Sequence, residues 1–269
     1  MKIARVDQEA GRQGSLRLGL PVITLLTDFG SADYFVGAVK GAILSVNSNV
    51  VIADITHEIP PQDIEAGAFT LLAVYKTFPA GAIHVAVVDP GVGSSRRPIL
   101  VAANEQFFVG PDNGIFSYIY DREPSYRIFH VSAEKYFRPD PSSTFHGRDI
   151  FAPVAAALST SVPPEQFGVE IKDEIRLPSL ETPLRIIHID RFGNCVTNIR
   201  REIFEGKIKS LSINGKTINS LRNFYGEADS KEELFAIWGS AGFLEISFNG
   251  GSAARILGAK RGDAVCFTG

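Results

Sequence analysis

The chain has 269 residues, 45% apolar and 21% charged, a globular composition long enough to bury one large core or two of ordinary size. A formal net charge of -3 argues against non-specific binding of nucleic acid, which needs a basic face. The two cysteines, Cys195 and Cys266, have no CxxC spacing, which excludes a disulfide framework and a zinc site and suits reduced thiols in the cytoplasm.

No apolar run approaches the ~20 residues that span a bilayer. The opening stretch has scattered charges and no apolar h-region, so it does not read as a secretory signal. The expectation is a soluble cytoplasmic protein with a polar lead-in over residues 1–20. The first half then alternates. Val22 to Thr27 is a short, almost wholly apolar run, as in a strand covered on both faces. A helix is expected from about Asp33, its cap, with Val36, Val39, Ile43 and Val46 at helical spacing. A strand near Val50 to Ile55, a helix from about Asp63 and a strand from Ile83 to Val88 follow. This order predicts a parallel sheet flanked by helices. A hairpin is expected around Asn104-Glu105, a turn at Pro111 to Gly114, and a helix from about Arg148 with Ile150, Val154 and Leu158 on one side.

Between Val162 and Pro183 the chain carries four prolines and several charges, which suits a linker. Beyond it, LRIIHID, LSINGKTI with a type I′ turn at Asn214-Gly215, FAIWGSAGFLEISFN and AVCFTG read as strands. The predicted fold is α/β: a Rossmann-like parallel domain over 21–178 and a smaller all-β domain, a barrel, over 184–269. No internal repeat or low-complexity tract is present.

Ligands of open parallel sheets bind beyond the carboxyl ends of the strands. All three predicted strands place polar groups there: Thr27-Asp28, then Asp54 with Thr56 and His57, then Asp89. Asp is common at turns, but three such carboxylates together suit a ribose. With no GxGxxG loop, a nucleoside without phosphates fits better than a dinucleotide. In VVDPGVGSSRRP, Arg96 either curls back to Asp89 or belongs to a solvated pair with Arg97. His146 precedes a predicted helix, whose dipole disfavours its protonated form; a structural hydrogen bond is the competing role. His84, His130 and His188 read as structural, and Cys195 as core. No GxSxG, Walker or HExxH motif occurs.

The same stretches carry a family likeness. TDFGSADYFVG, DITHEIPPQDIEAGA, VVDPGVGSSRRP, VGPDNGIF, TFHGRDIFAP and IDRFGNCVTNI resemble the motifs of the S-adenosylmethionine hydroxide adenosyltransferases, relatives of fluorinating and chlorinating enzymes. The likeness runs from about Pro21 to Gly269. It implies an N-terminal α/β domain, a C-terminal β-barrel, and a homotrimer with substrate held between subunits. It also implies hydrolysis of S-adenosyl-L-methionine (SAM) to adenosine and methionine, without metal or cofactor. By this resemblance Asp89, Arg96 and His146 activate water and Asp28 binds the ribose hydroxyls. Asp190 holds the methionine amino group, with Ser240 near the carboxylate. Asn194 reads adenine beside Gly250, and Phe145 and Phe192 line the nucleoside site.

Two departures from the halogenating relatives favour water over halide: Asp89 replaces a Tyr of the halide pocket, and the chain passes from Ala103 to Phe107 without their extra loop. A third is Ala241, where they carry Arg. A non-catalytic SAM or adenosine sensor would keep Asp28, Asp190 and Asn194 but need no triad; a 5′-halogenase would not place a carboxylate before the halide.

Overall fold

Val22–Thr27 (β1) is buried from its second residue to its last, as its apolar run requires. The computed structural model describes residues 19–227 and 233–268; the expected lead-in lies outside these apart from Gly19 and Leu20. After β1 come Phe35–Val46 (α1), Val51–Thr56 (β2), Ile64–Val74 (α2) and Ile83–Val87 (β3). Asp63 caps α2, accepting from the Ala66 N–H at 3.0 Å. Asp33 does not cap α1: the helix starts two residues later, and its N-cap, Tyr34, makes no side-chain bond. The buried stripe of α1 is Val39, Ala42 and Ile43, while Val46 faces outward.

Pro98–Ala103 (β4) and Gln106–Pro111 (β5) form the expected hairpin, with Asn104 and Glu105 both at positive φ (50° and 58°). Ser117–Arg122 (α3), Tyr126–Val131 (β6), Ala152–Ser159 (α4) and Gly168–Ile171 (β7) complete the first region. The sheet order is β2-β1-β3-β5-β4-β6-β7. Its first four strands are parallel, and the hairpin turns the rest antiparallel. Successive β3 residues point to opposite faces. Ile83, Val85 and Val87 pack beneath α1 and α4, while Ala86 packs in the core beneath α2 and α3. The stretch read as a linker therefore contains an edge strand. β7 is an edge strand whose Val169 and Glu170, on opposite faces, are both exposed, so no apolar run marks it, while the wholly buried Phe167 anchors it.

The second region contains Ile186–Ile189 (β8), Cys195–Arg200 (β9), Arg201–Phe204 (α5), Ser210–Ile213 (β10), Lys216–Ile218 (β11) and Leu221–Arg222 (β12). Leu234–Trp238 (β13), Phe243–Phe248 (β14), Ala253–Leu257 (α6) and Cys266–Thr268 (β15) follow. A five-stranded sheet, β12-β13-β14-β9-β8, and a three-stranded one, β11-β10-β15, share a core that includes Ile186, Ile199, Leu211, Ile213, Leu244 and Ile246. Ile186 N–H to Asp263 O (2.9 Å) and Val265 N–H to Leu184 O (3.0 Å) tie the edge at β8 to the approach to β15. Phe69 and Tyr118 of the first region pack with Ile187, Val196 and Phe243 of the second.

Candidate active site

Because β1 and β3 are parallel neighbours, the residues just beyond their carboxyl ends emerge side by side. Asp28 and Asp89 line one cavity of about 300 Å³, together with Phe29, Gln62, Phe145 and His146. Asp28 Oδ2 accepts the backbone N–H of Gln62 at 2.8 Å. Behind it, Thr27 Oγ1 meets His57 Nδ1 at 2.9 Å, and the Gly30 N–H donates to the His57 carbonyl at 2.8 Å. Phe145 is held edge-on by Phe35 (5.2 Å) and Phe29 (5.8 Å).

Asp54 does not join them. It lies within the edge strand β2 and pairs with Lys40 of α1 at 2.7 Å. Burial raises its pKa, but hydrogen bonds from Lys40 and His57 outweigh that and hold it below the ordinary value. The three-carboxylate cluster expected at the strand ends is therefore two.

Arg96 does curl back. Its Nε lies 3.0 Å from each Asp89 oxygen, and its Nη2 lies 2.5 Å from Asp89 Oδ2 and 2.6 Å from His146 Nδ1. Only 7% of the Arg96 side chain and 5% of that of Asp89 is exposed. Arg96 is absent from the cavity lining; it braces Asp89 and His146 from behind, its guanidinium 5.2 Å from the Phe151 ring. A guanidinium only donates, so His146 Nδ1 must accept, which makes the imidazole neutral with its proton on Nε2. Burial, and then the Arg96 charge, lower the His146 pKa from 6.5, which agrees.

Two loops bring this trio together. Gly93 has φ +77°, and a β-carbon there would stand 2.2 Å from the Ser143 carbonyl, so the Asp89 loop can pack against the His146 loop only without one. The second loop is tied by Asp149, 1% exposed, whose Oδ2 accepts the Ser142 N–H at 2.9 Å. His146 directly precedes a π-helical turn, Gly147–Phe151, that runs into α4, a distortion common at functional sites.

The other expected residues gather elsewhere. Asp190, Phe192, Asn194, Ser240 and Gly250 line a cavity of about 930 Å³ in the second region, with Tyr225, Trp238, Glu245 and Phe248. Asp190 Oδ1 accepts the N–H groups of Phe192 (2.9 Å) and Asn194 (2.8 Å), and its Oδ2 accepts Asn194 Nδ2 (2.8 Å). Phe192 is 78% exposed. Among the described residues, none lines both cavities. Cys195 is fully buried and burial pushes its thiol up to about 11, so it is core. His84, bonded to Thr24 at 2.8 Å and lowered to about 4 by burial, is structural.

Residues 23–168 match the family model of the SAM hydroxide adenosyltransferase N-terminal domain, and residues 184–266 match that of its C-terminal domain. The chain belongs to the SAM hydroxide adenosyltransferase family. A family relative, the (R)-S-adenosyl-L-methionine hydrolase of Methanocaldococcus jannaschii, is 39% identical over 88% of this chain and 92% of its own. The enzyme of the same name from Thermus thermophilus is 36% identical over 90% and 98%. A crystal structure of an uncharacterized conserved protein from Thermotoga maritima superposes with a TM-score of 0.86 at 32% identity, over 92% of this chain and all of that one. Fluorinases are more distant, at 26% identity for that of Nocardia brasiliensis. In this family member Gln62, Tyr225 and Glu245 escaped the sequence analysis. Gln62 contributes its backbone N–H, Tyr225 lies in a turn with no periodic signal, and Glu245 falls where the alternation of its strand assigns a polar residue to solvent.

Proposed function

We propose that the protein hydrolyses (R)-SAM to adenosine and L-methionine, by in-line attack of a water on the ribose 5′ carbon. The observation that carries this is the Asp89–Arg96–His146 trio, whose carboxylate and imidazole share a cavity with Asp28. The sulfonium leaves as a neutral thioether and needs no general acid, so the reaction calls on neither metal nor cofactor. The difficulty is the nucleophile. With its Nδ1 taken by Arg96, His146 offers Nε2–H to the water oxygen as a donor, which leaves Asp89 to accept the proton. Arg96 fixes the spacing and tautomer of both. General-base help of this kind is worth ~10²–10⁴-fold; positioning and exclusion of solvent supply the rest.

In this reading Asp28 takes the ribose hydroxyls and Phe145 flanks the sugar. Asp190 meets the amino group, Ser240 the carboxylate, and Asn194, Gly250 and Phe192 the adenine. That the two sets line separate cavities of one chain supports sites that each join the first region of one subunit to the second of its neighbour; the count of three, a homotrimer, rests on the family resemblance. We accordingly take 21–178 as the nucleoside-binding domain and 184–269 as a barrel domain, in a cytoplasmic enzyme. That both relatives are named (R)-S-adenosyl-L-methionine hydrolases supports the (R) sulfonium epimer as substrate.

The test is to incubate the protein with each SAM epimer in chloride buffer and identify the products by mass. Equal adenosine and methionine from the (R) epimer support the proposal. A 5′-chloronucleoside would show a halogenase, and nucleoside retained without turnover a sensor.

A further inference from the structure

The second cavity holds a carboxylate that the reaction above leaves unused. Glu245, on β14, is partly buried and lines the same cavity as Asp190. Its Oε2 accepts the Tyr225 hydroxyl at 3.1 Å. Its Oε1 lies over the backbone of Gly239, where a β-carbon would stand 1.8 Å away. The glycine thus lets a carboxylate fold down beside Ser240, the residue assigned to the aminoacyl end of the substrate. The rings of Phe192, Tyr225, Trp238 and Phe248 wall the space around it. Burial, relieved in part by the Tyr225 hydroxyl and reinforced by the charge on Asp190, raises the Glu245 carboxyl above its ordinary range. Two carboxylates lining one cavity repel each other, a cation placed between them offsets that repulsion, and aromatic faces favour the same sign of charge.

We propose that Glu245 and Asp190 together clasp the α-ammonium group of the substrate, which makes Glu245 a specificity-determining residue for amine-bearing sulfonium nucleosides. The assignment rests on the proposed function, in which this cavity receives the methionine end. Hydrogen bonds to ionised groups are the strong ones, and losing one is felt as selectivity more than as rate.

The experiment compares SAM with its analogue lacking the α-amino group, by calorimetric binding and by adenosine release, in wild type and in Glu245→Gln. Glutamine keeps the shape and the acceptor for Tyr225. The wild type is expected to prefer SAM by roughly tenfold or more. Glu245→Gln should lose most of that preference, with KM for SAM raised and kcat within about twofold. Glu245→Asp, shorter but charged, should keep part of the preference, and both variants should bind adenosine as the wild type does. A preference unchanged in Glu245→Gln overturns the assignment, as does equal binding of the two ligands by the wild type. Adenosine release by the wild type is scored separately: its absence removes the hydrolase reading, while the binding preference still decides the role of Glu245.

Discussion

Arg96 holds two side chains through one nitrogen, so its loss is expected to act on stability and rate together. Arg96→Ala leaves the Asp89 carboxylate buried without a partner, which typically costs about 3–5 kcal/mol; denaturant unfolding measures it. Asp89→Ala and His146→Ala should instead lower turnover by ~10²–10⁴-fold while adenosine binding, read by calorimetry, stays close to wild type. Full turnover in both would remove the trio from the chemistry. The pH profile follows from the lowered His146 pKa. A base whose folded pKa is depressed keeps its neutral form, and the stability that goes with it, above the unfolded value. Both are lost as pH falls through the folded pKa. The acid limb of kcat/KM should therefore lie below 6.5, the ordinary imidazole value, and move up when the Arg96 charge is removed in Arg96→Met. Asp28 and Asp89 are legible because each stands within two residues of the end of an apolar strand. Glu245 is not, since in FLEISF it falls where alternation predicts solvent.

At the scale of elements, the close approach of two loops sets the site. Gly93→Ala would bring a β-carbon to within 2.2 Å of the Ser143 carbonyl at a φ of +77°, so the Asp89 and His146 loops must part. The backbone conformation alone costs about 1–2 kcal/mol. Adenosine release should fall well below what the loss of melting temperature accounts for, because the Arg96 bridge spans the same gap. Inside the sheet, His84 ties β3 to β1 through Thr24. Its pKa is pushed from 6.5 to about 4, so the stability it contributes is complete above 6.5 and lost on acidification toward 4. That loss is of order 3 kcal/mol, measurable as melting temperature against pH and expected to be flatter in His84→Gln. Helix and strand order were readable from periodicity wherever both faces of an element are covered, as in β1 and β3. The start of α1 was misplaced because Asp33 is a plausible cap that makes no bond, and β7 was missed because an edge strand needs no apolar run. The π-helical turn after His146 has no sequence signal; the i→i+5 bond from the Ala152 N–H to the Gly147 carbonyl defines it.

For the whole molecule the decisive question is which chains complete a site. Mass photometry should give a trimer. If sites are shared, Asp89→Asn and Asp190→Asn chains, each assayed alone at SAM far below KM and each impaired there, should together recover about a quarter of wild-type activity when co-expressed, since mixed rings contain one intact pairing of first and second regions. No recovery would place both cavities in the service of a single chain. The separation of the two cavities has a consequence for how such proteins diverge. In the proposed assignment the groups that meet the nucleophile line one cavity and those that hold the departing thioether line the other, and substitutions at separate sites tend to act independently. A lineage could then alter which thioether leaves without disturbing the attack, or exchange the attacking species without losing its hold on the thioether.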